Sequence, residues 1–582
     1  GASRGFGAAA ARLIASRGNI VVATMCNPDR DAAAVTAGFE ERIHPFALDV
    51  TDRDGIHATV AAVLERFGHI DALINNAGYG LYGPIEDASE EEAWRELNTN
   101  VLGQWRVAQA ILPHFRARCR GKVVNVSSTA GRMAGPMTGM YAASKHCVEA
   151  MSESLRFELV NTGVQVCIVE PGMFASDWQT TNLDVCAAVR EGTSVYKDVV
   201  AQQLESFREL AKTRPGSASV AAAMADIVEL KQRLPLRWPV GNDATHMLPL
   251  RAMVTDEVWD YLRRSGALGY WRAPIDNAHA QPPANAWSYG TGQVVLMTGA
   301  SRGFGEAAAR EIASRGNTVI ATMRNPDRDA AKVVEGFEDS IHPVALDVTD
   351  APQAAAVVAD VIARYGRIDA LINNAGYGLY GPFEDLSEAE VHRQLNTNFL
   401  GQWRMMKAVL PQMRVQGHGK IVNVSSLSGQ VPSPLMAFYA GSKHAVEAMS
   451  EAAADEVRRW GIQVTIMEPG MYRSDWQTTN LDVCERFRSG QSPYQRAMEK
   501  SLEGFRRLAI TRPGSDAVAA AMADAVQLQQ PLPLRWPIGN DCVSLLRQRR
   551  ALTDEQWEQQ MLAAGWGFAR DDVESGSLAA QV

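Results

Sequence analysis

Two tyrosine–lysine pairs, Tyr141-x-x-x-Lys145 and Tyr439-x-x-x-Lys443, are the residues of this 582-residue chain best suited to moving a proton. A spacing of four on a helix puts both side chains on one face. A free phenol, with a pKa of about 10, is a poor acid or base at neutral pH, and a neighbouring ammonium favours the phenolate and brings it toward a working range. Such a pair can give a proton to a carbonyl oxygen as its carbon gains hydride. Ser128 and Ser426 each stand 13 positions before the tyrosine, in NVSS. A hydroxyl there can hydrogen-bond an oxygen on which charge develops. The adjacent Ser127 and Ser425 are the alternative for that role. A bare Tyr-x-x-x-Lys is equally a surface i,i+4 contact, so the surrounding elements decide its meaning.

Both sets lie inside a duplication. Residues 1–7 read GASRGFG, residues 299–305 repeat it, and later landmarks recur 298 positions on, through RPGS at Arg214 and Arg512 to LRWP at Leu236 and Leu534. Gly1, Ser3, Arg4, Gly5, Phe6 and Gly7, with Gly299, Ser301, Arg302, Gly303, Phe304 and Gly305, form G-x-x-x-G-x-G turns. Glycines at that spacing let backbone amides approach a pyrophosphate at a helix N-terminus. In the second copy the turn follows the apolar run VVLMT and precedes the helical composition EAAAREIASRG. Strand-like segments NTVIATMR, IHPVALDV and RIDALINNAG then alternate with helical ones. This predicts an α/β fold of two tandem Rossmann-type domains, each a doubly wound parallel sheet with helices on both faces.

The expected boundaries are 1–268 for the first domain, 269–292 for a linker rich in Pro, Ala and Asn, 293–570 for the second domain, and 571–582 for a flexible tail. The first copy opens on its glycine motif, without the counterpart of residues 294–298. A sheet lacking its innermost strand exposes two edges, so the natural protein is expected to start several residues upstream of Gly1.

A net charge of −9, with 57 Lys+Arg against 66 Asp+Glu, argues against nucleic-acid or anionic-membrane surfaces. Seven cysteines divide five and two between the copies, and only Cys186 and Cys484 correspond, which favours a reducing, cytoplasmic location without a shared disulfide framework. No apolar run approaches the roughly 20 residues that span a bilayer, and no signal peptide is expected. His44, His146, His342 and His444 lack the spacing of metal ligands, and no metal is expected.

Further motifs follow in fixed order in both copies: ALDV at Asp49-Val50 and Asp347-Val348, NNAG ending at Asn76-Ala77-Gly78 and Asn374-Ala375-Gly376, NTNVLG or NTNFLG, NVSS, YAASK or YAGSK, and EPGM. Through them nearly all of both copies resembles the short-chain dehydrogenase/reductase superfamily. NNAGYGLYGP, TMRNPDR and PLRWP make the chain most similar to the hydroxysteroid- and retinol-dehydrogenase-like reductases. The resemblance implies Tyr141 and Tyr439 as general acid/base, Lys145 and Lys443 on the cofactor ribose, and Ser128 and Ser426 on the substrate oxygen. It implies Asn100 and Asn398 at a helix distortion with a relay water, while Asn98 and Asn396 read as ordinary helix polar groups. It also places Asp49 and Asp347 on the adenine, NNAG by the adenosine ribose, Pro171-Gly172 and Pro469-Gly470 over the nicotinamide, and Ser176 and Ser474 on its carboxamide.

The cofactor reading is NADP(H). Thr24-Met25 and Thr322-Met323 stand where an NAD-type site carries a carboxylate. Arg4, Arg302 and Arg324 can hold a 2′-phosphate, and Cys26 replaces Arg324 in the first copy, predicting weaker NADPH binding there. Met133, Met137, Trp178 and Trp476 are candidates for an apolar substrate pocket, with residues 178–208 as its lid. The expectation is an NADPH-dependent oxidoreductase interconverting a ketone or aldehyde and an alcohol on a bulky apolar small molecule, active in both repeats. The alternatives are one catalytic repeat beside a structural pseudo-subunit, or a non-catalytic NADP-binding protein. An intrachain pseudo-dimer is expected, and a homodimer would then be a pseudo-tetramer.

Overall fold

The computed structural model describes residues 1–176, 178, 181–265, 291–473, 479–569 and 572–573. Residues 266–290, nearly all of the expected linker, lie outside it. In the second repeat, short buried runs such as Val294–Met297 (VVLM) and Ile462–Pro469 form a parallel sheet of seven strands. The spatial order is Ile341–Ala345, Thr318–Met323, Val294–Met297, Ala370–Asn373, Gly419–Val424, Ile462–Pro469, Arg535–Ile538. The order reverses beside Val294–Met297, and the carboxyl ends of the strands around that switch point open a crevice.

The first repeat has the same element order, but its sheet is in two pieces: Val21–Met25 with Ile43–Ala47, and a four-stranded part from Ala72–Asn75 to Arg237–Val240.

Local signals fix the elements that aim at the crevice. The helix Arg53–Phe67 starts where the Asp52 side chain accepts from Gly55 N and stops at Gly68, φ 76°. Ser89 and Ser387 open their helices with reciprocal capping boxes to Glu92 and Glu390. Each of those helices runs into a π-helical turn, Asn98–Leu102 or Asn396–Leu400, which re-aims the chain at the asparagine.

The tyrosine-bearing helices, Gly139–Glu158 and Ala437–Val457, are almost wholly buried because they pack on each other. They run antiparallel: a Cβ on Gly139 would lie 3.0 Å from Ala452 Cβ, and one on Gly441 would lie 2.6 Å from Cys147 Sγ. Contacts across the halves are reciprocal. Trp105 Nε1 donates to Phe383 O and Trp403 Nε1 to Ile85 O. Arg106 pairs with Glu388 and Arg404 with Glu90, while Arg237 pairs with Asp554 and Arg535 with Asp256. Such isologous pairing is what a two-fold axis produces. Of the expected flexible tail, Asp572 pairs with Lys500 at 2.6 Å and Val573 packs on the core, so the second domain holds the chain past residue 571.

Candidate active site

In the second repeat the crevice is a cavity of about 580 Å³. Gly299, Ser301, Arg302, Gly303 and Phe304 line it, with Arg324, Asp347, Val348, Asn374, Ala375, Gly376, Tyr439 and Lys443. Residues some 140 positions apart in sequence thus meet at the strand ends. The glycines serve different ends. Gly303 sits at φ 58°, a left-handed conformation that glycine adopts without a side-chain penalty. At Gly305 a Cβ would fall 2.1 Å from Gly299 O, so that glycine lets the helix close on the turn. The helix Gly303–Ser314 has no side-chain cap, leaving its first amides and positive dipole end toward the cavity. Gly1, Gly5 and Gly7 repeat these roles, with Gly5 at φ 56° and Asn76 Nδ2 donating to Gly1 O at 2.8 Å.

Other expected residues support the cavity from behind or beside it. Asp49 Oδ1 and Asp347 Oδ1 accept from Thr51 and Thr349, forming turns at the strand ends. Val50 and Val348 pack on Gly103 and Gly401. Gly78 and Gly376 approach Asn100 Oδ1 and Asn398 Oδ1. Pro171 and Pro469 end their strands, and Gly172 and Gly470 pack beneath Asp243 and Asp541, which accept from Met173 N and Met471 N. Neither Pro469 nor Gly470 lines the 580 Å³ cavity. Phe6 and Phe304 meet Phe174 and Tyr472 edge-on at 5.8 and 5.9 Å, tying the glycine turn to the EPGM loop. Ser176 Oγ accepts from Trp178 N at 3.3 Å. Ser474 and Trp476 lie outside the described residues.

The proton-handling groups form the same chain twice. Ser128 and Ser426 stand beside the Tyr141 and Tyr439 phenols and favour their ionised forms. Burial pushes the Tyr439 phenol up to about 12 against the pull of Ser426, and raises Tyr141 as well. Lys145 Nζ donates to Val126 O at 3.0 Å and Lys443 Nζ to Val424 O at 2.8 Å, placing the ammoniums 5.8 and 6.0 Å from the tyrosine ring centres. Burial lowers both lysines to about 8. Asn100 Nδ2 donates to Tyr79 O at 2.8 Å and Ser144 Oγ at 3.1 Å; Asn398 Nδ2 makes the matching bonds at 2.9 and 3.3 Å. Ser127 and Ser425 are buried at the strand ends against Gly131 and Gly429. Arg106 and Arg404 bond Asn98 and Asn396, which hold the helix bend.

Several site residues escape sequence reasoning. Tyr377, Arg393, Thr397, Thr479 and Asp482 also line the cavity, as does Ser425 rather than Ser426, and Arg393 ties Tyr377 Oη to Asp482. Glu96, fully buried, accepts from Asn100 Nδ2 at 2.8 Å. Its counterpart Gln394 donates instead to Tyr377 O at 3.1 Å. The signal was present: Glu96 and Gln394 stand one helical turn before the asparagines, and the copies differ there.

On the substrate side of the first site, Trp178 lies 5.1 Å from Tyr141 and 5.6 Å from Phe207, ring centre to ring centre. Met137 packs with Tyr82, Tyr196 and Val200. Met133 lies elsewhere, against Met247, Leu248 and Trp259. The expected lid comprises the strand Leu183–Val185, the short helix Ala187–Arg190 and the helix Lys197–Lys212. Among the described residues no cluster of His, Cys, Asp and Glu has metal-binding form, and no helix is long and apolar enough to cross a membrane.

Residues 1–184 and 293–483 each match the short chain dehydrogenase family. Oxidoreductase BOA17 of Botryotinia fuckeliana is 34% identical over 275 residues, which are 47% of this chain and 99% of that protein. A 3-ketodihydrosphingosine reductase of Bacteroides thetaiotaomicron is 41% identical over 193 residues, 33% of this chain and 68% of that protein. A solved short-chain dehydrogenase from Streptomyces avermitilis is 35% identical and covers 48% of this chain and 99% of its own, with a TM-score of 0.41. With both copies matched from glycine turn to EPGM loop, the chain belongs to the short chain dehydrogenase family of oxidoreductases, and it does so twice.

Proposed function

We propose that both repeats are NADPH-dependent sites interconverting a ketone or aldehyde and an alcohol on a bulky apolar substrate. The observation that carries this reading is the tyrosine with a serine and a lysine beside it, present in each repeat, with Tyr439 and Lys443 in the second lining the same cavity as the glycine turn. The residues fit a nicotinamide dinucleotide: an uncapped helix N-terminus for the pyrophosphate, Gly299 and Gly303 in the cavity lining, and Arg302 with Arg324 in the lining for a 2′-phosphate. When bound, that cofactor supplies or accepts the hydride.

The chain's own groups manage the oxygen. Ser128 or Ser426 donates to the carbonyl oxygen as negative charge grows on it. The tyrosine gives that oxygen its proton and is left as a phenolate, which the buried ammonium stabilises. Alcohol oxidation reverses these roles. The asparagine on the π-helical turn fixes the Tyr79 or Tyr377 backbone beside the lysine, the place for a water that returns the proton. Trp178, Phe207 and Tyr82 favour an apolar substrate, in keeping with a relative named for a keto-group reductase. We infer an intrachain pseudo-dimer from the reciprocal contacts.

Tyr141→Phe plus Tyr439→Phe is expected to abolish NADPH oxidation with any accepted ketone, whereas each single variant keeps part of it. The Tyr141→Phe protein, left with the Arg324 site, should also show a lower KM for NADPH than Tyr439→Phe, left with the Cys26 site. The second reading, one catalytic repeat and one structural, is favoured by the Cys26 and Glu96 differences and wins if one single variant is already dead.

A further inference from the structure

The tyrosine helices each end in a buried carboxylate that the chemistry above does not use. Glu456, 1% exposed, belongs to the second repeat, yet both of its oxygens serve the first. Oε2 accepts from Ile85 N and Oε1 from Met137 N, both at 2.8 Å. Glu158, 2% exposed, does the converse, accepting from Phe383 N at 2.8 Å and Leu435 N at 2.9 Å. Burial pushes both carboxyls up to about 8, and the two amides on each pull the other way because their bonds strengthen when the carboxyl is ionised.

The amides they hold are not ordinary ones. Met137, φ 65°, and Leu435, φ 66°, are left-handed non-glycine residues four positions before Tyr141 and Tyr439, at the turns where the tyrosine helices begin. That conformation is disfavoured for a side-chain-bearing residue, so the turn needs something to hold it. Met137 O accepts from Gly83 N at 2.7 Å, and the Met137 side chain packs beside Tyr82 and Tyr196 on the pocket wall. Each carboxylate therefore joins the two loops that set the start of the other repeat's tyrosine helix.

We propose that each active site is assembled in trans: Glu456 is the positioning residue of the first site and Glu158 that of the second. The proposal rests on the reading of both repeats as catalytic. It accounts for keeping two complete sites in one chain, since neither repeat supplies its own clamp. The two sites are also finished unequally. Trp460 and Arg459 of the second repeat cover Tyr196 beside the first site, at 5.1 and 5.5 Å. The counterparts of these residues are Thr162 and Asn161, and Tyr494 meets Phe568 of its own repeat at 5.9 Å and Arg116 of the first repeat at 5.5 Å.

The test is a crossed pattern in the full chain. Glutamine keeps one acceptor and turns an NH2 toward the other amide. Glu456→Gln should lower kcat of the first site, read in a Tyr439→Phe background, about tenfold, and far more than that of the second site, read with Tyr141→Phe. Glu158→Gln should do the reverse. Hydrogen exchange of the free protein supplies a readout independent of activity: Ile85 and Met137 amides exchange faster in Glu456→Gln, Phe383 and Leu435 amides in Glu158→Gln. Glu456→Asp, which keeps the charge but withdraws the oxygens, should reproduce the crossed pattern if the glutamine variant folds poorly. Equal loss at both sites, or loss confined to the variant's own repeat, overturns the proposal. Crossed exchange with no crossed change in kcat overturns the positioning role. Crossed exchange with one single-tyrosine background already inactive overturns instead the reading of two catalytic sites.

Discussion

Glu96 puts a titratable group one helical turn from Asn100 where the second repeat has the neutral Gln394. Burial raises its carboxyl to about 8, with Lys145 opposing that rise. Lys145 is in turn lowered to about 8 by burial, and Glu96 is the first group that resists the fall. The sign follows. Once Glu96 ionises it favours the Lys145 ammonium, so Glu96→Gln should let Lys145 lose its proton at lower pH. The alkaline limb of the first site's kcat profile, measured in a Tyr439→Phe background, is expected to move to lower pH by up to about one unit. A limb that stays in place would show that Glu96 has no electrostatic hold on the site. Sequence spacing reads the tyrosine, lysine, serine and glycine turn because these are local patterns tied to one chemistry. It does not read Glu456 or Glu158 as site residues, because the amides they bond lie 371 and 225 positions away for Ile85 and Phe383, and helix composition gives a buried glutamate no distinguishing mark.

At the scale of elements, strand–helix alternation makes the parallel sheet legible, since fully buried strands read as apolar runs. The pairing of the two tyrosine helices is less so, because the small residues that permit it look like ordinary helix formers. Gly441 is the sharpest case: a Cβ there would meet Cys147 Sγ at 2.6 Å. The equivalent positions in the opposite repeat hold Ala143 and Ala445, which shares the bulk differently. Gly441→Ala should therefore cost about 1–3 kcal/mol by overpacking, despite the better helix propensity of alanine. Adding Cys147→Ala, which removes the sulfur in the way, should recover most of that cost. Denaturant melts of the single and double variants measure the coupling, and additive effects would mean that the two positions do not share the space.

Across the whole molecule the halves are joined by charges as well as by apolar helices. Arg535 is bound by Glu447 and Glu451 of its own repeat and by Asp256 of the other, at 2.8 to 2.9 Å; Arg237 repeats this with Glu149, Glu153 and Asp554. Burial on its own would raise the Asp256 carboxyl, but Arg535 and Arg251 outweigh it and lower it to about 2. A folded value below the usual 3.8 means that the stability from this carboxylate is present above about pH 4 and is lost as pH falls toward 2. Breaking a buried pair by removing one partner costs about 3–5 kcal/mol, since the other charge is left uncompensated. Asp256→Asn lies in the first repeat but strips a partner from an arginine of the second, so both repeats should melt together at a lower temperature in a single calorimetric transition. Above pH 4 the variant should trail the parent, and the gap should narrow as the solution is acidified through the range where Asp256 takes up its proton. Two separated transitions, with only the first repeat weakened, would mean that the repeats fold as independent bodies and that the cross-chain charges do not couple them.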